Sequence, residues 1–220
     1  MSTSPDSASA TQSLAGRIAE TLVHTGAVAF RTEPFFRLTS GAESPVYVDN
    51  RQLLGHVAER LEVIEAFLAA IAAQQPTPDA IAGTATAGIP WGAWLADRLS
   101  LPFLYVRSQA KAWGKESAVE GTAPDGARVL VIEDLAFSAG SLAEAAENLR
   151  AAGFLVEDSL TIASYDMPSA HRRLQALSLR HATLTTIDEA LAAAARAGSL
   201  DDRQVSTVEA WLRERRAAGG

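Results

Sequence analysis

The chain has 220 residues, of which 48% are hydrophobic, and carries a formal net charge of −7. That is enough apolar material for one sizeable core; the acidic balance argues against a non-specific nucleic-acid binder, and the absence of cysteine excludes disulfides and cysteine-based metal or nucleophile chemistry. No uninterrupted apolar run approaches the roughly 18 residues that span a bilayer, and the polar start MSTSPDSASATQS lacks the apolar stretch of a signal peptide, so the expectation is a soluble cytoplasmic protein with no membrane partner.

Residues 1–13, rich in Ser, Thr and Ala, read as a disordered lead-in. The rest, 14–220, reads as a single domain without internal repeat or linker. Leu14, Ile18, Leu22 and Val23 recur at helical spacing, and Gly26 suits the stop. A short apolar run at 27–30 follows. In FFRLTSGAESPVYVDNR, residues 35–51, strand character at Phe36, Leu38 and Val46–Val48 brackets a Ser40-Gly41 turn, which predicts a hairpin-like flap. Its mixture of Phe35, Phe36, Tyr47, Arg37 and Arg51 suits a planar anionic ligand; an ordinary packed hairpin is the alternative. A helix is expected over 57–73, then breakers at Pro76 and Pro78.

The stretch DAIAGTATAGIP, residues 79–90, reads as a short strand, a small-residue loop at 83–88, and a helix with Pro90 in its first turn. Small residues let backbone amides approach a ligand, although no P-loop GK[ST] follows. Trp91 and Trp94 read as packing residues of that helix. An apolar strand over 101–107 ends in Arg107. Residues 108–124 are polar, contain Lys111, Trp113 and Lys115, and show no periodicity: either a lid over a site or a solvated surface loop.

The chain is organised around RVLVIEDLAFSAGS, residues 128–141. Val129–Ile132 reads as a buried strand that runs straight into Glu133 and Asp134. A loop at 135–140 then opens onto a helix over 141–152. Carboxylates at the carboxyl edge of a parallel sheet stand where α/β proteins bind ligands, and a helix start behind a Gly-containing loop can hold a phosphate. The plain alternative is a strand whose acids merely cap the next helix. Further strands are expected at 154–165 and 182–185, and helices at 171–179, 187–197 and 200–215. His171 and His181 have no metal-ligand company and read as surface or packing residues. The alternation predicts an α/β fold, a mainly parallel sheet with helices on both faces.

These ordered segments resemble the type I phosphoribosyltransferases, most closely the orotate phosphoribosyltransferases, over about residues 14–215. FFRLTSGAESPVYVDNR resembles the family's flap over the base, GTATAGIP its pyrophosphate loop, YVRSQAKAWGKESAVEG its catalytic loop, and RVLVIEDLAFSAGS its phosphoribosyl pyrophosphate signature. The resemblance implies transfer of the phosphoribosyl group of phosphoribosyl pyrophosphate (PRPP) to orotate, with Mg2+, giving orotidine 5′-monophosphate and pyrophosphate. It assigns Glu133 and Asp134 to the ribose, and Ala136, Phe137, Ser138, Ala139, Gly140 and Ser141 to the 5′-phosphate. Thr84, Thr86, Ala87 and Gly88 fall to the pyrophosphate, as do the cations Arg107 and Lys111. Phe36, Thr39, Ser40, Tyr47 and Arg51 fall to the base. It also implies a homodimer whose lid, with Lys111, acts in the partner's site, small-molecule substrates only, and no metal held by protein ligands alone.

The chain departs from the family pattern at Trp113, where many members carry histidine, at Thr39, where many carry the flap lysine, and at two further places. Ser108 stands where the catalytic loop normally carries lysine after Arg107, and Ala136-Phe137 stand where the phosphate loop normally carries threonines, with Ala139 at a glycine position. Two functions are therefore expected: an orotate phosphoribosyltransferase, or a divergent phosphoribosyltransferase-like paralogue that acts on another base or binds a phosphosugar or nucleotide without orotate activity.

Overall fold

The computed structural model describes residues 13–38, 41–73, 76–107 and 118–219. Lys111, Ser108, Trp113, Lys115, Thr39 and Ser40 lie outside the described residues, as do residues 1–12. Ser13 caps helix α1 (Leu14–His24), its Oγ accepting from the Gly16 N–H at 3.1 Å. α1 buries Ile18, Ala19 and Leu22 and stops at Gly26, whose φ of 75° lies in the left-handed region glycine tolerates.

The flap differs from the expected single hairpin. Strand β1 (Val28–Phe30) is followed by β2 (Phe36–Arg37), β3 (Glu43–Ser44) and β4 (Val46–Val48). Among the described residues β2 pairs with β3 alone, whereas β4 returns to β1 with Ala29 opposite Tyr47. Pro45 separates β3 from β4: it has no N–H to continue a ladder, and Ser44 Oγ instead bridges to Val46 across it, accepting from its N–H and donating to its carbonyl. The flap is thus two small sheets back to back in sequence.

A 3-10 turn at Asn50–Gly55 leads into α2 (Val57–Ala72), then β5 (Ala80–Thr84), α3 (Gly88–Leu99), β6 (Phe103–Val106), β7 (Val119–Glu120) and β8 (Arg128–Ala136). Next come α4 (Gly140–Ala151), β9 (Leu155–Ser164), α5 (Pro168–Ala176), β10 (Arg180–Thr186), α6 (Ile187–Arg196) and α7 (Asp202–Ala217). Six strands form one sheet in the order β10-β9-β8-β5-β6-β7, parallel throughout except for β7. β8 lies at its centre, and Val129–Ile132 are wholly buried because helices cover both faces.

Several boundaries shift for local reasons. β8 continues through Glu133 and Asp134 to Ala136, paired with β9 to the end, so the acids belong to the strand and the loop shrinks to 137–139. α3 starts at Gly88, two residues before Pro90, and α5 starts at Pro168, not at His171; proline is tolerated in a first turn because those N–H groups have no partner within the helix. Within the stretch expected to be wholly irregular, residues 119–120 form β7 and extend the sheet antiparallel to β6. α6 is capped by Thr186 and α7 by a capping box of Asp201 and Gln204. α6 packs on α1, and Thr185 on β10 donates to the Ala15 carbonyl at 2.9 Å, so the two ends of the chain close one edge of the sheet together. Among the described residues, no helix is long and apolar enough to cross a membrane.

Candidate active site

The sheet order places a topological switch point between β5 and β8. From β5 the chain crosses through α3 to β6 on one side; from β8 it crosses through α4 to β9 on the other. Right-handed crossovers in opposite directions put α3 and α4 on opposite faces and open a crevice at the carboxyl ends of the two strands. The two loops that border it, 85–87 and 137–139, are two of the segments the sequence singled out.

The first loop is held against β8 by glycines. A Cβ on Gly88 would lie 2.5 Å from the Ile132 carbonyl oxygen and 2.6 Å from Thr84 Oγ1, and one on Gly83 would lie 2.7 Å from the Gly88 carbonyl. Thr84 is buried and its hydroxyl lies 3.4 Å from the Ile132 carbonyl, so it braces the loop, while Thr86 is exposed at the crest. The Ala85–Thr86 peptide is cis. Ala87 precedes α3 without a side-chain cap; Ile89 N–H turns back to the Thr86 carbonyl at 3.4 Å and Pro90 carries none, which leaves the Gly88 amide at the start of α3 to meet an anion.

Glu133 and Asp134 stand in the crevice between the loops. Glu133 is only 6% exposed and its Oε1 accepts the Asp134 N–H at 3.0 Å. Burial first, then the hydrogen bond and repulsion from Glu133, pushes the Asp134 carboxyl up to about 7. The pair therefore favours holding a proton near neutrality, and a cation or a set of hydroxyl donors would relieve it. Asn50 was not anticipated from sequence. It is fully buried, donates Nδ2 to the Asp134 carbonyl at 2.8 Å, and its Oδ1 meets no partner among the described residues. A buried amide next to a charged Asp49-Arg51 pair is the signal that could have drawn attention to it.

Among the described residues no group of three or more His, Asp or Glu could hold a metal. The donor set nonetheless fits Mg2+, which takes one or two carboxylates and completes its shell with water and phosphate oxygens.

The second loop is Phe137-Ser138-Ala139. Ala136, grouped with it on sequence, is the last residue of β8 and is buried in the core, so its methyl replaces no ligand-facing hydroxyl. Ala139 has φ 54° and ψ 26°, left-handed, and is followed directly by helical Gly140. A left-handed residue ahead of a right-handed turn gathers successive amides into an anion-binding concavity. No side chain caps α4, and the hydroxyl of exposed Ser141 lies in its first turn. Phe137 turns away to meet Tyr165 edge to face, ring centres 4.9 Å apart; burial pushes the Tyr165 phenol up.

Beside this loop opens a cleft of about 650 Å3. The flap lines it with Arg37, Tyr47 and Arg51, β8 and its loop with Leu135 and Phe137, and α7 with Trp211 and Arg215. Phe36 stands behind Tyr47 at 5.6 Å and under the Arg31 guanidinium at 4.2 Å, so it supports the wall. Arg51 chelates Asp49 at 2.6 and 3.0 Å, which lowers the Asp49 carboxyl and fixes the arginine at the rim. The α7 residues were missed because the last helix looks from sequence like an ordinary amphipathic appendage. Arg107 follows β6 with its Nε 3.3 Å from Glu120 on β7, two strands away from the acids.

A parallel sheet with an acid pair between two amide-lined loops at its switch point is the architecture of a phosphosugar- or nucleotide-binding enzyme. The model of the phosphoribosyl transferase domain matches residues 52–169. The orotate phosphoribosyltransferase of Coxiella burnetii is 38% identical over 200 residues, covering 91% of this chain and 96% of the relative; that of Bacillus caldolyticus is 39% identical over 194 residues, covering 88% and 94%. Among solved structures, the orotate phosphoribosyltransferase of Aeropyrum pernix superposes with a TM-score of 0.71 at 34% identity over 84% of this chain and 99% of that one. Leishmania donovani UMP synthase gives 0.76 at 25% identity, and this chain spans 42% of its length. The chain belongs to the type I phosphoribosyltransferase family. It is a phosphoribosyltransferase-type enzyme of orotate phosphoribosyltransferase-like character.

Proposed function

We propose that the protein transfers the phosphoribosyl group of PRPP to N1 of orotate, releasing pyrophosphate. The observation that carries this reading is the pair of buried Glu133 and half-buried Asp134 between two loops with free amides and a cation-rimmed aromatic cleft. The bond from C1′ to the pyrophosphate oxygen breaks and the bond from C1′ to the base nitrogen forms. Positive charge grows on the ribose ring as negative charge grows on the leaving group. Glu133 and Asp134 lie beneath the ribose, accept its hydroxyls and favour the cationic ring. The amides at Ala139–Ser141 hold the 5′-phosphate at the start of α4. Thr86, Ala87 and the Gly88 amide at the start of α3 hold the pyrophosphate. Arg107 joins Lys111 in neutralising it after exchanging Glu120 for the anion. Glu133 and Asp134, together with substrate oxygens, would hold Mg2+, which supplies charge neutralisation of the pyrophosphate when bound.

The base lies in the 650 Å3 cleft against Tyr47, Leu135 and Phe137, with its carboxylate toward Arg51 and Arg215. The lid residues act in a partner copy's site within a homodimer; Val57 and Leu61, exposed one turn apart on α2, offer an apolar contact for it. The burial of Ala136 weakens the case for a non-catalytic paralogue, since that substitution removes nothing from the phosphate site.

Ultraviolet absorbance of orotate, followed with PRPP and Mg2+, tests the reading. Loss of the orotate band in step with pyrophosphate release supports it. An unchanged band at high enzyme concentration rejects it.

A further inference from the structure

Arg173, on α5, reaches across the surface to the loop ahead of α4. Its Nη1 donates to the Ser138 carbonyl at 2.6 Å, and lies 3.5 Å from where a Cβ on Gly140 would stand. Neither sequence pattern nor resemblance singles this residue out. We infer that Arg173 is a positioning residue for the phosphate loop, setting the orientation of the Ser138–Ala139 peptide so that its amide faces the 5′-phosphate of the phosphoribosyl substrate. The inference rests on the reading of this loop as the phosphate site.

The geometry follows from peptide planarity. Cis bonds occur at Glu33–Pro34 and Ala85–Thr86, so the Ser138–Ala139 bond is trans. In a trans peptide the carbonyl and the following N–H point in opposite directions. Arg173 pulls the Ser138 carbonyl outward toward α5, which turns the Ala139 N–H to the opposite side, the crevice side. The Ala139 carbonyl is already committed to the helix, accepting from Ala143 N–H at 3.1 Å. The amides of Ala139, Gly140, Ser141 and Leu142 meet no acceptor among the described residues, and α4 has no side-chain cap. Ala139 holds a left-handed conformation that alanine, unlike glycine, adopts at a cost; an external tether that fixes the preceding peptide keeps it there. The guanidinium also adds positive charge behind an anion site whose neighbour Phe137 contributes none. Arg172, next to it on the same helix, lines the α4–α5 groove and makes no such bond.

The test uses the full chain and two probes, ribose 5-phosphate and pyrophosphate, measured by calorimetry, together with steady-state kinetics. For Arg173→Ala, affinity for ribose 5-phosphate should fall about tenfold, the loss of one hydrogen bond from a charged group. KM for PRPP should rise by a similar factor, while kcat, KM for orotate and pyrophosphate affinity stay within twofold. Arg173→Lys, which keeps one charged donor, should recover most of the loss, and Arg172→Ala should match wild type. Equal ribose 5-phosphate affinity in Arg173→Ala and wild type overturns the inference. So does an equal loss in Arg172→Ala, which would make the effect one of general charge. A wild-type protein that binds pyrophosphate but not ribose 5-phosphate overturns the phosphate-loop reading itself, and the inference with it.

Discussion

Gly88→Ala is the substitution whose effect can be worked most directly from the geometry. The added methyl would lie 2.5 Å from the Ile132 carbonyl oxygen, in the middle of β8, and 2.6 Å from Thr84 Oγ1. Neither is a flexible side-chain end: one is sheet backbone and the other a buried hydroxyl at 2% exposure. To regain van der Waals separation the 85–88 segment must retreat by roughly 1 Å. Overpacking of a close-packed site costs about 1–3 kcal/mol, which urea denaturation should report as a lower midpoint at unchanged slope. A displacement of that size at a substrate-positioning loop costs about 100-fold in rate, and it should fall on PRPP and pyrophosphate, leaving ribose 5-phosphate affinity nearly intact. Gly55→Ala is the control, since a Cβ there meets nothing within 4 Å at an ordinary φ. A Gly88→Ala protein as stable as wild type, with the same pyrophosphate affinity, would refute the claim that this glycine sets the distance between the loop and β8.

Other consequences can be read with ordinary assays. His181 is pushed down to about 4, first by burial, and its ring nitrogens lie 3.1 and 3.3 Å from the Ser159 and Thr161 hydroxyls. The unfolded chain takes up the proton at a higher pH than the native one, so stability from this group is full above about pH 6.5 and is lost as pH falls toward 4, up to about 3 kcal/mol. Asp134, raised to about 7, works in the opposite direction over an overlapping range, so the difference between wild type and His181→Gln, measured by denaturation at pH 7 and pH 4.5, isolates the histidine; a difference that does not change with pH contradicts the assignment. Arg215→Ala should raise KM for the base about 10- to 100-fold, as expected for one lost hydrogen bond to a carboxylate, with KM for PRPP unchanged; equal effects on both substrates would remove Arg215 from the base cleft. Phe137→Ala should forfeit the edge-to-face contact with Tyr165, about 0.5–1.5 kcal/mol beyond lost area, and weaken base binding more than ribose 5-phosphate binding, which calorimetry with each ligand would settle.

Much of this was legible in the residues. The uniform apolar run Val129–Ile132 could only be a strand covered on both faces, and the small residues at 83–88 announced a close backbone approach. The flap was misread because Val46–Val48 has the same strand character as a hairpin partner would; only the pairing with β1, enforced by Pro45, tells them apart. Ala136 was assigned to the loop because the acids looked like a strand end, whereas the ladder with β9 runs on past them. Asn50, Trp211, Arg215 and Arg173 escape a local reading for a different reason. Each acts through a long-range approach, 84 residues in sequence for Asn50 to Asp134 and 35 for Arg173 to Ser138, that local periodicity does not encode.

The central claim is that the acid pair and its two loops serve transfer from PRPP to a carboxylated pyrimidine. Orotate and uracil at equal concentration, supplied together with PRPP and Mg2+ to the wild-type enzyme, test it in one reaction read by 31P spectroscopy and product mass. The account predicts pyrophosphate in equal amount to orotidine 5′-monophosphate and no uridine monophosphate. A uridine monophosphate product, or PRPP left intact by a protein that binds it, would contradict it.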